Sequence, residues 1–130
     1  MYFVRDDAQG LDEFYRATRA STGEYINVAA VGGLGMKVEH DNHSPVVTAD
    51  ELTIYWSSSR LGPSAKTEIF VATRQDTASP FSNVRPVTEV NTAARYESPN
   101  FVSADGCRLY FTSLSETPYE SDILMASKPT

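Results

Sequence analysis

Leu52-Thr53-Ile54-Tyr55-Trp56-Ser57-Ser58-Ser59-Arg60, followed by Glu68-Ile69-Phe70-Val71-Ala72-Thr73-Arg74, is the stretch whose reading decides the fold. Both segments are rich in β-branched and aromatic residues, the composition of strands. Their apolar residues do not alternate with polar ones: Tyr55 adjoins Trp56, and Ile69, Phe70 and Val71 run together. A strand with one face in water alternates, so these strands are read as covered on both faces.

The same pattern is written twice more. Tyr2-Phe3-Val4-Arg5 precedes Glu13-Phe14-Tyr15-Arg16-Ala17-Thr18-Arg19, and Tyr110-Phe111-Thr112-Ser113 precedes Asp122-Ile123-Leu124-Met125-Ala126-Ser127-Lys128. Tyr2 and Tyr55 are 53 positions apart, and Tyr55 and Tyr110 are 55 apart. A period of this length marks a repeat architecture. Upstream, Ser44-Pro45-Val46-Val47-Thr48-Ala49-Asp50 lines up with Ser98-Pro99-Asn100-Phe101-Val102-Ser103-Ala104-Asp105, with one residue extra in the later copy. Asn27-Val28-Ala29-Ala30-Val31 matches Asn83-Val84-Arg85-Pro86-Val87 and supplies a further segment, giving four short strands per unit. Turn formers punctuate them at Asp105-Gly106, Gly62-Pro63 and Thr117-Pro118. Leu11 to Ala20 has a weak helical pattern, but its aligned copies, Ile69-Phe70-Val71 and Ile123-Leu124-Met125, favour a strand there too.

A unit of four antiparallel strands with two apolar faces needs neighbours on both sides, which is the situation of a β-propeller blade. The expected fold is all-β, with blades at about 1–40, 41–94 and 95–130. In each adjacent aromatic pair one ring meets the preceding blade and the other the following blade, so Trp56 and Phe111 are predicted to be buried. The first blade lacks its inner strand and the last its outer one. Three blades do not close a ring, since propellers use about 4 to 8. The chain is therefore expected to belong to a longer propeller or to form a homo-oligomer, pairing head to tail with a second copy.

Glu97-Ser98-Pro99-Asn100-Phe101-Val102-Ser103-Ala104-Asp105-Gly106-Cys107-Arg108-Leu109-Tyr110-Phe111-Thr112-Ser113, followed by Asp122-Ile123-Leu124, resembles the WD-like propeller repeat of the TolB type, found in bacterial envelope proteins. Asn91-Thr92 ahead of it is typical of the same repeats. The second copy departs at Asp50-Glu51, where Asp-Gly is usual, and at His43, where Glu is usual. The resemblance implies a periplasmic or extracellular binding or scaffold module without cofactor or built-in chemistry, with a protein or cell-wall component as partner. Fold alone does not fix function, because propellers also host hydrolases and lyases.

Composition narrows the partners. A formal net charge of −6 with scattered basic residues argues against nucleic acid, whose phosphates need clustered Lys and Arg. No apolar run reaches the length of a membrane span, and the first residues carry no signal-peptide pattern. Cys107 is the single cysteine, so neither an internal disulfide nor a multi-cysteine zinc site can form.

His40, Asp41 and His43 form the one cluster of metal-like residue types. Their spacing in a loop defines no ligand geometry, and the alignment of His43 with Glu97 reads both as channel-mouth residues. His40, Asp41, His43 and Glu97 are thus the binding candidates, and no catalytic residue is assigned. A metal-dependent or carbohydrate-active enzyme would use His40 and His43, and a glycan-binding lectin would expose Tyr119, Tyr96 or Trp56. Asp6-Asp7 with Asp12-Glu13 lacks the calcium-loop spacing. Glu13, Glu68 and Asp122 recur at one strand start and are expected to accept backbone N–H bonds. The serine runs lack the Gly-x-Ser-x-Gly turn that a hydrolase of that type needs.

Overall fold

A computed structural model describes residues 1–6, 8–61 and 66–129. Asp7, of the acidic pair, and the Gly62-Pro63 turn lie outside the described residues. Among the described residues ten strands form: β1 (Tyr2–Asp6), β2 (Asp12–Arg19), β3 (Tyr25–Ala30), β4 (Asn42–Val47), β5 (Thr53–Ser58), β6 (Glu68–Thr73), β7 (Ser82–Pro86), β8 (Tyr96–Val102), β9 (Arg108–Glu116) and β10 (Tyr119–Ser127). No helix occurs among the described residues. The segment with helical periodicity is β2, where burial on a sheet overrides the local pattern.

The strands make three antiparallel sheets in chain order, β1-β2-β3, β4-β5-β6-β7 and β8-β9-β10. Their registers are the same. Phe3 faces Tyr15 across the first sheet, Trp56 faces Phe70 across the second, and Phe111 faces Leu124 across the third. Val31 N–H donates to the Phe14 carbonyl at 2.8 Å, and Val87 N–H to the Ile69 carbonyl at 2.8 Å. The pairings β2/β3 and β6/β7 slip at the same place, after Arg16 and after Val71. Asn27 (φ 54°) and Asn83 (φ 55°) sit at matching points in left-handed backbone, which asparagine tolerates better than most residues.

The sheets pack face to face, and the middle one shows why its apolar residues do not alternate. Ile54, Trp56, Phe70 and Ala72 point one way and pack with Phe14, Leu34, Tyr2 and Val4 of the first sheet and its exit. Tyr55, Ile69 and Val71 point the other way, against Val102, Leu109 and Phe111 of the third. Trp56 and Phe111 are both buried. Trp56 meets Phe14 edge-on at 6.3 Å and Phe70 at 5.9 Å. Strand β4 lies against β1 and β2 as β8 lies against β5 and β6. The three sheets do not close on themselves.

Two turns repeat atom for atom. Thr48 Oγ1 donates to Asp50 at 2.6 Å while Leu52 N–H donates to the same oxygen at 3.0 Å. In the third sheet Ser103 Oγ donates to Asp105 at 2.5 Å and Cys107 N–H to that oxygen at 2.9 Å. These bonds hold the Asp50 and Asp105 carboxyls below the usual carboxylate range. Gly106 has φ 68°, and Glu51 takes the corresponding conformation at φ 59°. A glutamate there strains the backbone. Its carboxylate is held by Arg16 at 2.8 Å, Arg74 at 3.5 Å and the Tyr2 hydroxyl at 3.1 Å, so Asp50-Glu51 makes the same turn as Asp-Gly.

One alignment is corrected by the register. Asn42 faces Ser58, and Glu97 faces Ser113. Each inner strand then slips opposite one aromatic residue, at Ser44-Pro45 opposite Trp56 and at Pro99-Asn100 opposite Phe111. The spacing from Asn42 to Glu97 equals that from Tyr55 to Tyr110, so the later copy has no extra residue. The two Ser-Pro pairs differ by one position. Asn42, not His43, is the counterpart of Glu97.

Candidate functional site

The ladders put the starts of β2, β4, β6, β8 and β10 at one end of the sheets, together with the ends of β1, β5 and β9. Cross-sheet bonds confirm that these ends meet. Asn42 N–H donates to Asp12 Oδ2 at 3.0 Å, and Ser57 Oγ donates to the Glu97 carbonyl at 2.8 Å. His40, Asp41, His43 and Glu97 therefore share one rim, although they do not form one constellation.

His40 lies in the loop entering β4, half-buried, with its Nδ1 unpartnered among the described residues. Its carbonyl accepts from Asn42 Nδ2 at 2.9 Å. Asp41 is exposed, and its N–H donates to Ser59 Oγ at 3.0 Å. His43 faces Ser57, on the side of the third sheet, and its Nδ1 contacts Ser44 Oγ at 3.1 Å. Burial lowers the His43 pKa, and the nearby Asp41 and Asp12 carboxylates oppose that shift. No group of three His, Cys, Asp or Glu side chains among the described residues could hold a metal ion.

Glu97 is fully buried between the second and third sheets. Its Oε1 accepts from Thr92 Oγ1 at 2.8 Å and from Ser113 Oγ at 3.4 Å, while Oε2 has no partner among the described residues. Burial raises its pKa, the Thr92 and Ser113 bonds lower it in part, and the Glu68 carboxylate raises it further. In the matching place Asn42 is also buried, but its amide is satisfied by the His40 carbonyl and by Arg60 at 3.5 Å.

The rim has further members that the sequence reading passed over. Arg60 crosses Trp56 and Phe70 at 5.2 and 4.9 Å and donates to Ser58 Oγ at 3.1 Å and the Leu34 carbonyl at 2.9 Å. Arg95 donates to Ser113 Oγ at 2.9 Å, the counterpart of Ser58, and to Asp122 at 2.8 Å. The two arginines lie at different points of the repeat, so alignment cannot pair them. Lys66 sits over the Tyr96 ring at 4.0 Å and pairs with Glu116 at 3.2 Å. Glu13, Glu68 and Asp122 accept from Tyr15, Asn91 and Arg95 side chains, where backbone donors were expected. Glu68 and Asp122 tie separate elements together at the rim, whereas the Glu13 contact stays within β2. Tyr119 is exposed there, whereas Trp56 is core.

Polar and charged groups thus ring one end, mixed in sign, over a buried carboxylate. Such a surface can bind through hydrogen bonds and ion pairs. Cys107 is exposed at the opposite end. No helix among the described residues is long and apolar enough to cross a membrane. Compared with known proteins, the chain matches no family model, no curated protein and no solved structure.

Proposed function

We propose that the three sheets are consecutive blades of a TolB-like β-propeller, and that the chain is a non-catalytic binding or scaffold module of the cell envelope. The supporting observation is the shared register. Three sheets repeat one pairing pattern and one mode of face-to-face packing, and all four candidate residues fall on one rim. The partner is a protein or a cell-wall component held by the His40–His43 loop, the Glu116 region and their neighbours. Cosedimentation with purified peptidoglycan sacculi and photo-cross-linking to envelope proteins test this. Asp41→Lys and Glu116→Lys abolish the interaction, whereas Arg19→Glu at the opposite end leaves it intact. Equal effects from both ends refute the rim as the binding surface.

The outward faces support a larger ring. In the third sheet Ile123 is 77% exposed and Met125 50%, while their counterparts in the second sheet, Ile69 and Val71, are 0% and 6% exposed. In the first sheet Phe3 and Tyr15 stack at 5.8 Å under Arg5 on the face away from the second sheet. Uncovered apolar area such as that of Ile123 and Met125 marks an interface. A head-to-tail pair would join these faces in a ring of six blades. Light scattering on the purified chain reads this out, and a monodisperse monomer that unfolds cooperatively contradicts the pairing.

A further inference from the structure

We propose that the cavity between β3 and the β6–β7 turn binds a small organic carboxylate, with the anion held by Arg16 and Arg74. The cavity has a volume of about 300 Å³, at the lower end of the range of small-molecule sites. Ala29, Ala30 and Val31 line it on the side of the first sheet, and Thr77, Ser79 and Pro80 on the side of the second. Phe81 N–H donates to the Gly32 carbonyl at 3.1 Å and joins the two walls. Strand β6 starts at the rim, so the turn that follows it lies at the opposite end of the sheets. The site goes beyond the rim reading and does not depend on it.

Arg16 stands where the repeat is otherwise apolar. It pairs with Tyr2 as Val71 pairs with Tyr55 and Met125 with Tyr110. An arginine that replaces an apolar residue in one sheet only has a polar task there. Part of that task is the Glu51 carboxylate, 2.8 Å from its Nη2, but Nε and Nη1 make no hydrogen bond among the described residues. The Arg74 side chain is only 7% exposed. Its Nε donates to the Glu51 carbonyl at 2.8 Å and its Nη2 to the Tyr2 hydroxyl at 2.9 Å, while Nη1 makes no hydrogen bond among the described residues. A guanidinium keeps its charge even when buried, and an unmet N–H on it costs free energy that an incoming acceptor recovers.

The lining selects the ligand. Both arginines border the cavity, and no acidic side chain lines it among the described residues. Glu51 offsets one of the two charges from outside. Asp76, the next carboxylate along the chain, accepts from the Ala78 and Ser79 N–H groups at 2.9 and 2.8 Å and so serves its own turn. One positive charge is left to meet a ligand, which matches a carboxylate, whereas a phosphate monoester carries about −1.5 to −2. The guanidinium fork fits the two oxygens of a carboxylate. Thr77 adds a hydroxyl, and the alanines, Val31 and Pro80 give an apolar wall for a short hydrocarbon body behind the anion.

The probe is hexanoate, titrated into the full chain by isothermal calorimetry at low ionic strength. Hexanamide, which keeps the tail without the charge, and inorganic phosphate are titrated beside it. Saturable binding of hexanoate is expected, with hexanamide and phosphate each at least about tenfold weaker, the loss of one charge-assisted bond. Arg16→Lys keeps a cation beside Glu51 but removes the fork, and weakens hexanoate at least about tenfold. Ala29→Glu sets a carboxylate opposite Arg16 in the β2–β3 ladder, at an exposed position, and abolishes binding by occupying the site. A folding failure of one variant leaves the other as the test. Arg19→Ala removes an exposed cation outside the cavity and leaves the affinity unchanged. Absence of saturable hexanoate binding, equal binding of hexanamide or phosphate, or binding indifferent to Arg16→Lys and Ala29→Glu overturns the proposal. So does an equal loss with Arg19→Ala, which would show attraction to the general surface charge.

Discussion

Trp56→Ala is the sharpest perturbation of the stacking between sheets. The indole is fully buried, with Phe14 at 6.3 Å, Phe70 at 5.9 Å and the Arg60 guanidinium at 5.2 Å. Truncating a buried aromatic to alanine costs about 3–5 kcal/mol through lost transfer energy and the cavity left behind. Two aromatic contacts contribute about 0.5–1.5 kcal/mol each to such a loss. One term opposes it: the indole N–H has no partner among the described residues, so its removal relieves a buried donor, worth roughly 1–3 kcal/mol. Arg60 keeps Phe70 and the Leu34 carbonyl, so its charge is not stranded. The net expectation is about 3 kcal/mol. Trp56→Phe deletes the same unpaired N–H and keeps most of the ring, and is expected within about 1.5 kcal/mol of the parent. Urea denaturation followed by far-ultraviolet circular dichroism measures both, since Trp56 is the single tryptophan and its fluorescence cannot report on its own replacement. A loss below about 1 kcal/mol for Trp56→Ala would refute the claim that this ring joins two sheets.

Glu97→Gln reports on the buried carboxyl. Its folded-state pKa lies above the ordinary glutamate value, so its stabilising contribution is full below that ordinary value and is lost as pH rises through the raised one. The variant is therefore more stable than the parent at neutral pH, and the gap closes in acid. A gap that is constant across urea titrations from acid to neutral pH contradicts the assignment. Glu51→Ala and Glu51→Gly separate ion pairing from backbone strain: both lose the Arg16 and Arg74 pairs, and the alanine variant is less stable by about 1 kcal/mol because only glycine relaxes a positive φ. Equal melting of the two variants would show that residue 51 carries no strain.

The repeat was legible because adjacent apolar residues recur at a near-constant interval, and the two-sided burial of Tyr55 and Trp56 follows directly from that adjacency. Register was less legible. Ser-Pro looked like an anchor shared by β4 and β8, yet in both strands the slip opposite the aromatic residue absorbs two residues, and the prolines need not align within it. Choosing Ser-Pro paired His43 with Glu97, whereas counting from the tyrosines pairs Asn42 with Glu97. Position alone could not show that Glu51 would adopt the conformation of Gly106, because the compensation comes from Arg16 and Arg74, far away in the chain. The arginines of the rim were hidden for a related reason: Arg60 and Arg95 reach equivalent serines from unequivalent places.

The stacking of three like sheets in chain order is tested most directly by distance measurement between equivalent strand starts. Spin labels are attached at Glu13→Cys, Glu68→Cys and Asp122→Cys, taken two at a time in a Cys107→Ser background, and read by pulsed electron resonance. Successive blades fanned about one axis predict matching distributions for the first and second pairs of sheets, with the Glu13–Asp122 distance longer than either. A Glu13–Asp122 distance equal to or shorter than the neighbouring ones would place the third sheet back over the first, and would contradict the propeller.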